Sequence, residues 1–224
     1  MYNLELLAQA KQILSAYKKI YWVIGGACSG KSTLCRMIAQ KIDIPVYDMD
    51  EYIFGTYMPR YTEVRHPASK AWFSAENGLD WVLSLSGADF EVLNRAANAE
   101  YIDLFAQDVR QYSVQDWLLV DGGISYPAIL AQAFPVGQIA CLYLPPHESR
   151  QIWETAVERQ PMREMILDLP EGDKKWQTFL GHDKHIAEQC WHESKAENIP
   201  LFVRDGRRST EQLVQKILGY FGLR

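Results

Sequence analysis

Short apolar runs alternate along the chain with longer stretches whose apolar residues recur every three to four positions. Residues 20–24, 44–47, 117–121, 138–144 and 199–205 are the short runs. They are rich in β-branched and aromatic residues and read as strands, the fourth continuous enough to be buried on both faces. Helical spacing predicts a first helix over 2–18, with Leu6, Ala10, Ile13, Leu14 and Tyr17 on one side, and another over 32–41, with Leu34, Met37 and Ile38. Residues 90–112 repeat the pattern through Val92, Ala96, Ala99, Ile102, Phe105, Ala106 and Val109, and 147–166 also read as helix. Ser209-Thr210-Glu211-Gln212 forms a capping box, opening a last helix on Leu213, Ile217, Leu218 and Phe221. Five strands alternating with helices predict a doubly wound α/β fold. Its 224 residues suffice for one such core spanning 1–224, with a helical insert over about 55–112 and a lid over about 147–195.

The first strand runs into Gly25-Gly26-Ala27-Cys28-Ser29-Gly30-Lys31-Ser32, followed by Thr33 and the second helix. This fits G-x-x-x-x-G-K-[ST] in the strand–loop–helix context that the pattern's mechanism needs. Glycines at 25, 26 and 30 are expected to take positive φ and bring backbone N–H groups against phosphate oxygens, beside a positive helix N-terminus. In such a loop Lys31 reaches the β- and γ-phosphates and the Ser32 hydroxyl sits on Mg²⁺.

Carboxylates fall at the ends of two further strands. Asp48 and Asp50 close the second, where one is expected to handle the metal or its water and the other to bind or deprotonate an acceptor. A helix N-cap with an acidic first turn is the alternative. Asp121 closes the third strand as a metal-water carboxylate does, and Gly122 and Gly123 after it allow a ligand close to the backbone, although Asp-Gly-Gly is also ordinary turn chemistry. In the insert, Arg60 and Arg65 are candidates to hold an anionic group of the acceptor, or else are solvated arginines. In the lid, Arg159 and Arg163 are candidates for the charge of a transferring phosphoryl group, or else pair with neighbouring glutamates. His182, His185, Cys190 and His192 suggest zinc, but His182, His185, Gln189 and His192 fit one stripe of a surface helix better.

A net charge of −5 without a basic stripe disfavours nucleic acid as partner. No run of apolar residues is long enough to span a membrane, and the start lacks a signal peptide's basic and apolar regions. Four cysteines without a C-x-x-C pair suit a reducing cytoplasm.

On the motif at 25–33, on Asp48-x-Asp50 and on Asp121-Gly122-Gly123, the chain resembles the small P-loop kinases, the group of shikimate kinase, gluconate kinase and the nucleoside monophosphate kinases. The resemblance implies a P-loop three-layer sandwich with a parallel sheet ordered 2-3-1-4-5, ATP as donor with Mg²⁺, and an arginine-bearing lid. It places the first aspartate near the metal, the second near the acceptor hydroxyl, and the glycines on substrate. The insert at 55–112 and the segment at 167–198 depart from that group. The expected activity is ATP- and Mg²⁺-dependent phosphoryl transfer to a hydroxyl, or a phosphate, of a small polar metabolite. The alternative is an ATP-binding sensor that transfers nothing. Guanine-specific and transporter ATPase signatures are missing from the sequence.

Overall fold

A computed structural model describes residues 2–223. Helix α1 (Leu4–Leu14) starts where the Asn3 side chain accepts from Glu5 and Leu6 N–H, and leads to β1 (Ile20–Ile24). Next come α2 (Lys31–Ile42), β2 (Val46–Asp48) and a single turn α3 (Met49–Glu51), prolonged by a π-helical turn over Tyr52–Thr56. The insert holds α4 (Pro67–Ser74), α5 (Gly78–Leu83) and the long α6 (Gly87–Asp108). Then follow β3 (Leu118–Asp121), α7 (Pro127–Ala133), β4 (Ile139–Tyr143), α8 (Pro146–Thr155), α9 (Gln160–Leu167), α10 (Gly172–Ala196), β5 (Leu201–Val203) and α11 (Thr210–Phe221).

The sheet is wholly parallel, in the order β2-β3-β1-β4-β5. Period-two alternation distributes its side chains. Ile20, Trp22 and Ile24 join Leu118, Val120, Ile139 and Cys141 under α1, α6 and α7. Tyr21 and Val23 join Leu119, Ala140 and Leu142 under α2 and α11. Helices therefore cover both faces, as the resemblance implied.

Boundaries moved for local reasons. The second strand begins at Val46, because Pro45 before it has no N–H to give the ladder. The helix expected over 147–166 breaks into α8 and α9 around a 3₁₀ turn at Val157–Arg159, since Pro161 in the first turn of α9 cannot continue a helix from the preceding turn. Val92, assigned to the apolar stripe of α6, is exposed, whereas 97–106 are buried all round.

That buried half of α6 carries polar residues which serve other elements. The Glu100 carboxylate accepts from Ala68 N, Ser69 N and Ser69 Oγ at 3.0, 2.7 and 2.5 Å, so it caps α4, whose own N-cap residue makes no side-chain capping bond. Asn98 Oδ1 accepts from Ser125 N at 2.6 Å and Tyr126 N at 3.3 Å, and Glu193 of α10 accepts from Ala128 N. These bonds satisfy the orphan donors at the start of α7 and fix the loop after β3.

Candidate active site

Parallel pairing puts the carboxyl ends of β1, β2 and β3 side by side. Asp48 stands opposite Asp121, and Asp121 opposite Val23, two residues before the glycine loop. The sheet ends and α10 frame a cleft of about 750 Å³, lined by loop residues from Gly25 to Thr33, by Asp50, by Gly123 to Ser125, and by Arg159, Asp183 and Arg204.

Gly25 (φ +147°) lies so close to β4 that a Cβ would stand 2.0 Å from Leu142 O. The positive φ values in the loop belong to Gly25, Cys28 (+59°) and Gly30 (+90°). Gly26, expected among them, instead packs against α10, where a Cβ would meet Ala187 Cβ at 3.4 Å. Lys31 Nζ and Ser29 Oγ both donate to Gly26 O, at 2.9 and 2.8 Å. Ser32 and Thr33 face the cleft. Burial raises the pKa of the Cys28 thiol against the lowering effect of Arg159.

The three acidic positions behave differently. Asp48 Oδ1 accepts from Asp50 N at 3.1 Å and Glu51 N at 3.2 Å, so Asp48 is itself the N-cap of α3, and one of its oxygens is committed to backbone. Asp50 opens on the cleft near Lys31 and the Gly123 N–H. The enclosing walls raise its pKa more than those two groups lower it. Asp121 is buried, and burial raises its pKa against the pull of the Ser32 hydroxyl and Lys31, with Asp48 and Asp50 adding to the rise. Its Oδ1 is among the buried atoms that lack a hydrogen-bond partner among the described residues.

That orphaned oxygen beside Ser32 suits a divalent cation, which would relieve both the missing partner and the crowded negative charge. No three His, Cys, Asp or Glu converge as a metal cage among the described residues. The arrangement therefore suits Mg²⁺ held by a hydroxyl, a carboxylate through water, and phosphate oxygens.

After β3, Gly122 (φ +66°) lies against Lys31 Cε and the Asp50 carboxylate, and its carbonyl accepts from Trp22 Nε1 at 2.9 Å. Gly123 (φ +73°) lines the cleft. Arg159 also lines it, its guanidinium 4.7 Å from the Trp153 ring centre. Arg163 stands back from the cleft, donating to Glu154 O at 3.4 Å, 5.8 Å from the Trp176 ring centre.

Arg60 and Arg65 lie elsewhere, which corrects the sequence reading. Arg60 Nη1 bonds Asp108 Oδ1 at 2.6 Å. Arg65 forks onto Asp103 at 2.8 and 2.6 Å and reaches Gln9 of α1. Both line a separate hollow between α1 and the insert. Their ion pairs tie the insert's own segments together, with Arg65 also reaching α1, rather than reach the cleft. The surface reading of the α10 histidines holds for His192, which is exposed, whereas His182 stacks on Phe90 with ring centres 3.7 Å apart and His185 bonds Glu91.

Sequence reasoning missed Arg36 and Asp183, which line the cleft, and gave Arg204 only a guess at stacking on a base. Arg204 Nη1 in fact clamps the loop, donating to Cys28 O at 3.0 Å. Arg36 follows Ser32 by one helical turn, so the helical period could have placed it. Nothing in the local pattern marked Asp183, which α10 brings in from far along the chain.

No family model matches the chain, and no curated protein matches it. Among solved structures it is similar to shikimate kinase from Acinetobacter baumannii in complex with shikimate. The identity is 13% and the TM-score 0.45, over 93% of this chain and 94% of that one. A likeness at that level says nothing about substrate or activity. The P-loop kinase-like architecture stands on the observed strand order and the loop that follows β1. No helix among the described residues is long and apolar enough to cross a membrane.

Proposed function

We propose that the chain is an ATP- and Mg²⁺-dependent phosphotransferase that acts on a hydroxyl of a small molecule. The observation that carries this reading is the convergence of Lys31, Ser32, Asp50 and Asp121 at neighbouring strand ends around one cleft. Backbone N–H groups of 25–33 and Lys31 bind the triphosphate. Ser32 and Asp121, with Asp48 behind, would hold Mg²⁺, which would supply neutralisation of the phosphate charge. Arg159 faces the same space and supports the transferring group, and Arg36 and Arg204 face the nucleotide side. Arg163, one helical turn beyond Arg159, adds positive charge behind it. Gly122 and Gly123 let the acceptor approach the backbone. The acceptor's proton needs a carboxylate, and Asp50 and Asp183 both line the cleft. Four free, buried thiols support work in a reducing, cytoplasmic setting.

The test is incubation with MgATP and pooled small hydroxyl compounds, read by mass spectrometry for a product heavier by one phosphoryl group. Lys31→Ala is expected to cut turnover by on the order of a thousandfold while the thermal unfolding midpoint stays put. Full activity in Lys31→Ala would sink the assignment. Lys31-dependent ATP binding without product from any acceptor would favour the sensor alternative.

A further inference from the structure

A second cavity, of about 660 Å³, opens between the insert and the α9–α10 pair. Ala27, Asp183 and Ile186 belong to its wall and to the wall of the phosphate cleft, so the two spaces meet at the glycine loop. Elsewhere its walls are mostly hydrocarbon and aromatic, with Phe73 and Trp72 from the insert and Phe179 from α10. Phe54 and Met58 on one side and Met162 and Met165 on the other stand between 37% and 55% exposed around it. The volume falls within the roughly 300–1,000 Å³ range of small-molecule pockets.

Polar groups meet this cavity at the junction. Trp153 is 5% exposed, and its Nε1 is buried without a hydrogen-bond partner among the described residues. It lies beside the Asp183 carboxylate, outside hydrogen-bond geometry. Ser149 Oγ donates to Asp183 Oδ2 at 2.6 Å and anchors that carboxylate. Asp50, the other carboxylate on the cleft, is turned toward Lys31 and Gly123 and is not part of the second cavity's wall. A buried donor next to a buried acceptor matches a hydroxyl, which can accept from one and donate to the other.

We propose, resting on the transfer reading above, that the acceptor is an alcohol with an aromatic or hydrocarbon body. That body sits in the second cavity, and its hydroxyl lies between Trp153 Nε1 and Asp183. The alcohol oxygen bonds to the terminal phosphorus of the nucleoside triphosphate while the bond from that phosphorus to the bridging oxygen breaks. A phosphate monoester and a nucleoside diphosphate result, and the hydroxyl proton passes to Asp183. Burial raises the pKa of Asp183 from its ordinary value, which favours its uptake of the hydroxyl proton. The mostly hydrocarbon walls offer few partners to further hydroxyls, which favours such a body over the polar acceptor expected from sequence.

The experiment presents the full chain and MgATP with two acceptor sets, and follows phosphorylated product by mass spectrometry. One set is benzyl alcohol, phenethyl alcohol, tryptophol and prenol. The other is glycerol, glucose and sorbitol. Product from the first set, absent with Lys31→Ala, is expected. Product from the second set alone would overturn the acceptor class and leave the transfer reading standing. No product from either set, despite Lys31-dependent nucleotide binding, would overturn both. Met165→Glu, at an exposed rim position, is expected to lower kcat/KM for the aromatic alcohols about tenfold. Trp153→Phe keeps the ring and is expected to raise their KM by about tenfold. Asp183→Asn is expected to lower kcat about a hundredfold and to remove the acidic limb of the pH–rate profile. An unchanged limb in Asp183→Asn, or unchanged kcat/KM in Met165→Glu, would refute the assignment.

Discussion

The strand ends around 20–33, 46–50 and 118–123 and the insert around 52–112 are built on different physics. At the strand ends the requirements belong to the backbone. A loop must turn between β1 and α2, pass within van der Waals distance of β4 and leave its N–H groups outward, so residue type is dictated position by position. In the insert, helices are stitched to one another by side chains from remote segments. Examples are Glu100 on α4, Asp103 on Arg65 and His66, and Lys175 on Asp80. A backbone site fails abruptly when one glycine is changed. A stitched region gives way one cross-link at a time.

Gly25→Ala is the sharpest way to break that comparison. A methyl group 2.0 Å from Leu142 O cannot be relieved by a rotamer change, because the obstacle is backbone. The expected cost is on the order of 4 kcal/mol, seen as a fall in the denaturation midpoint together with loss of nucleotide binding. A variant that kept its stability and its nucleotide affinity would show that the loop is more pliant than its contacts imply.

The same difference explains what could be read in advance. The motif at 25–33, the strand-end aspartates and the alternation of strands and helices are local signals, and sheet order followed through the resemblance they support. Arg60 and Arg65 misled because a guanidinium looks the same in sequence whether its carboxylate belongs to a ligand or to Asp108 and Asp103. Asp183 and Trp153 were missed because their meaning depends on α8 and α10 meeting over Ala27, a contact that no spacing encodes. His182 was placed on the surface because its helical period said nothing of Phe90.

Within the insert the largest single effect is expected at Asp103. It is 1% exposed and is bonded by Arg65, His66 and Gln107. Asp103→Ala leaves those partners unsatisfied and is expected to cost about 3 kcal/mol in chemical denaturation, with nucleotide affinity retained. Loss of nucleotide affinity at full stability would mean that the insert bears directly on the phosphate site.

Next in size is a pH effect at His182. Burial, with His185 nearby, lowers its pKa to about 4. The unfolded chain holds the ordinary value of about 6.5. Between those values the unfolded state binds more protons, so stability is full above about 6.5 and is lost as the pH falls through the window. Thermal unfolding of the wild type is expected to weaken from pH 7 toward pH 4, and His182→Gln to weaken less over that span. Parallel curves for the two proteins would remove His182 from the account.

The smallest expected effects are at Arg60 and Arg65, and they test the comparison most directly. Their side chains are 32% and 40% exposed, so solvent screens both ion pairs, and Arg60→Ala or Arg65→Ala is expected to cost about 1 kcal/mol each. Asp108 would keep Tyr47 Oη, and Asp103 would keep His66 and Gln107, which limits the damage. Because both arginines line the hollow against α1 rather than the cleft, KM for acceptor and for ATP is expected to hold in each variant. A raised acceptor KM with unaltered stability would return them to the substrate, and the insert would then be a binding element rather than one held in place by its own cross-links.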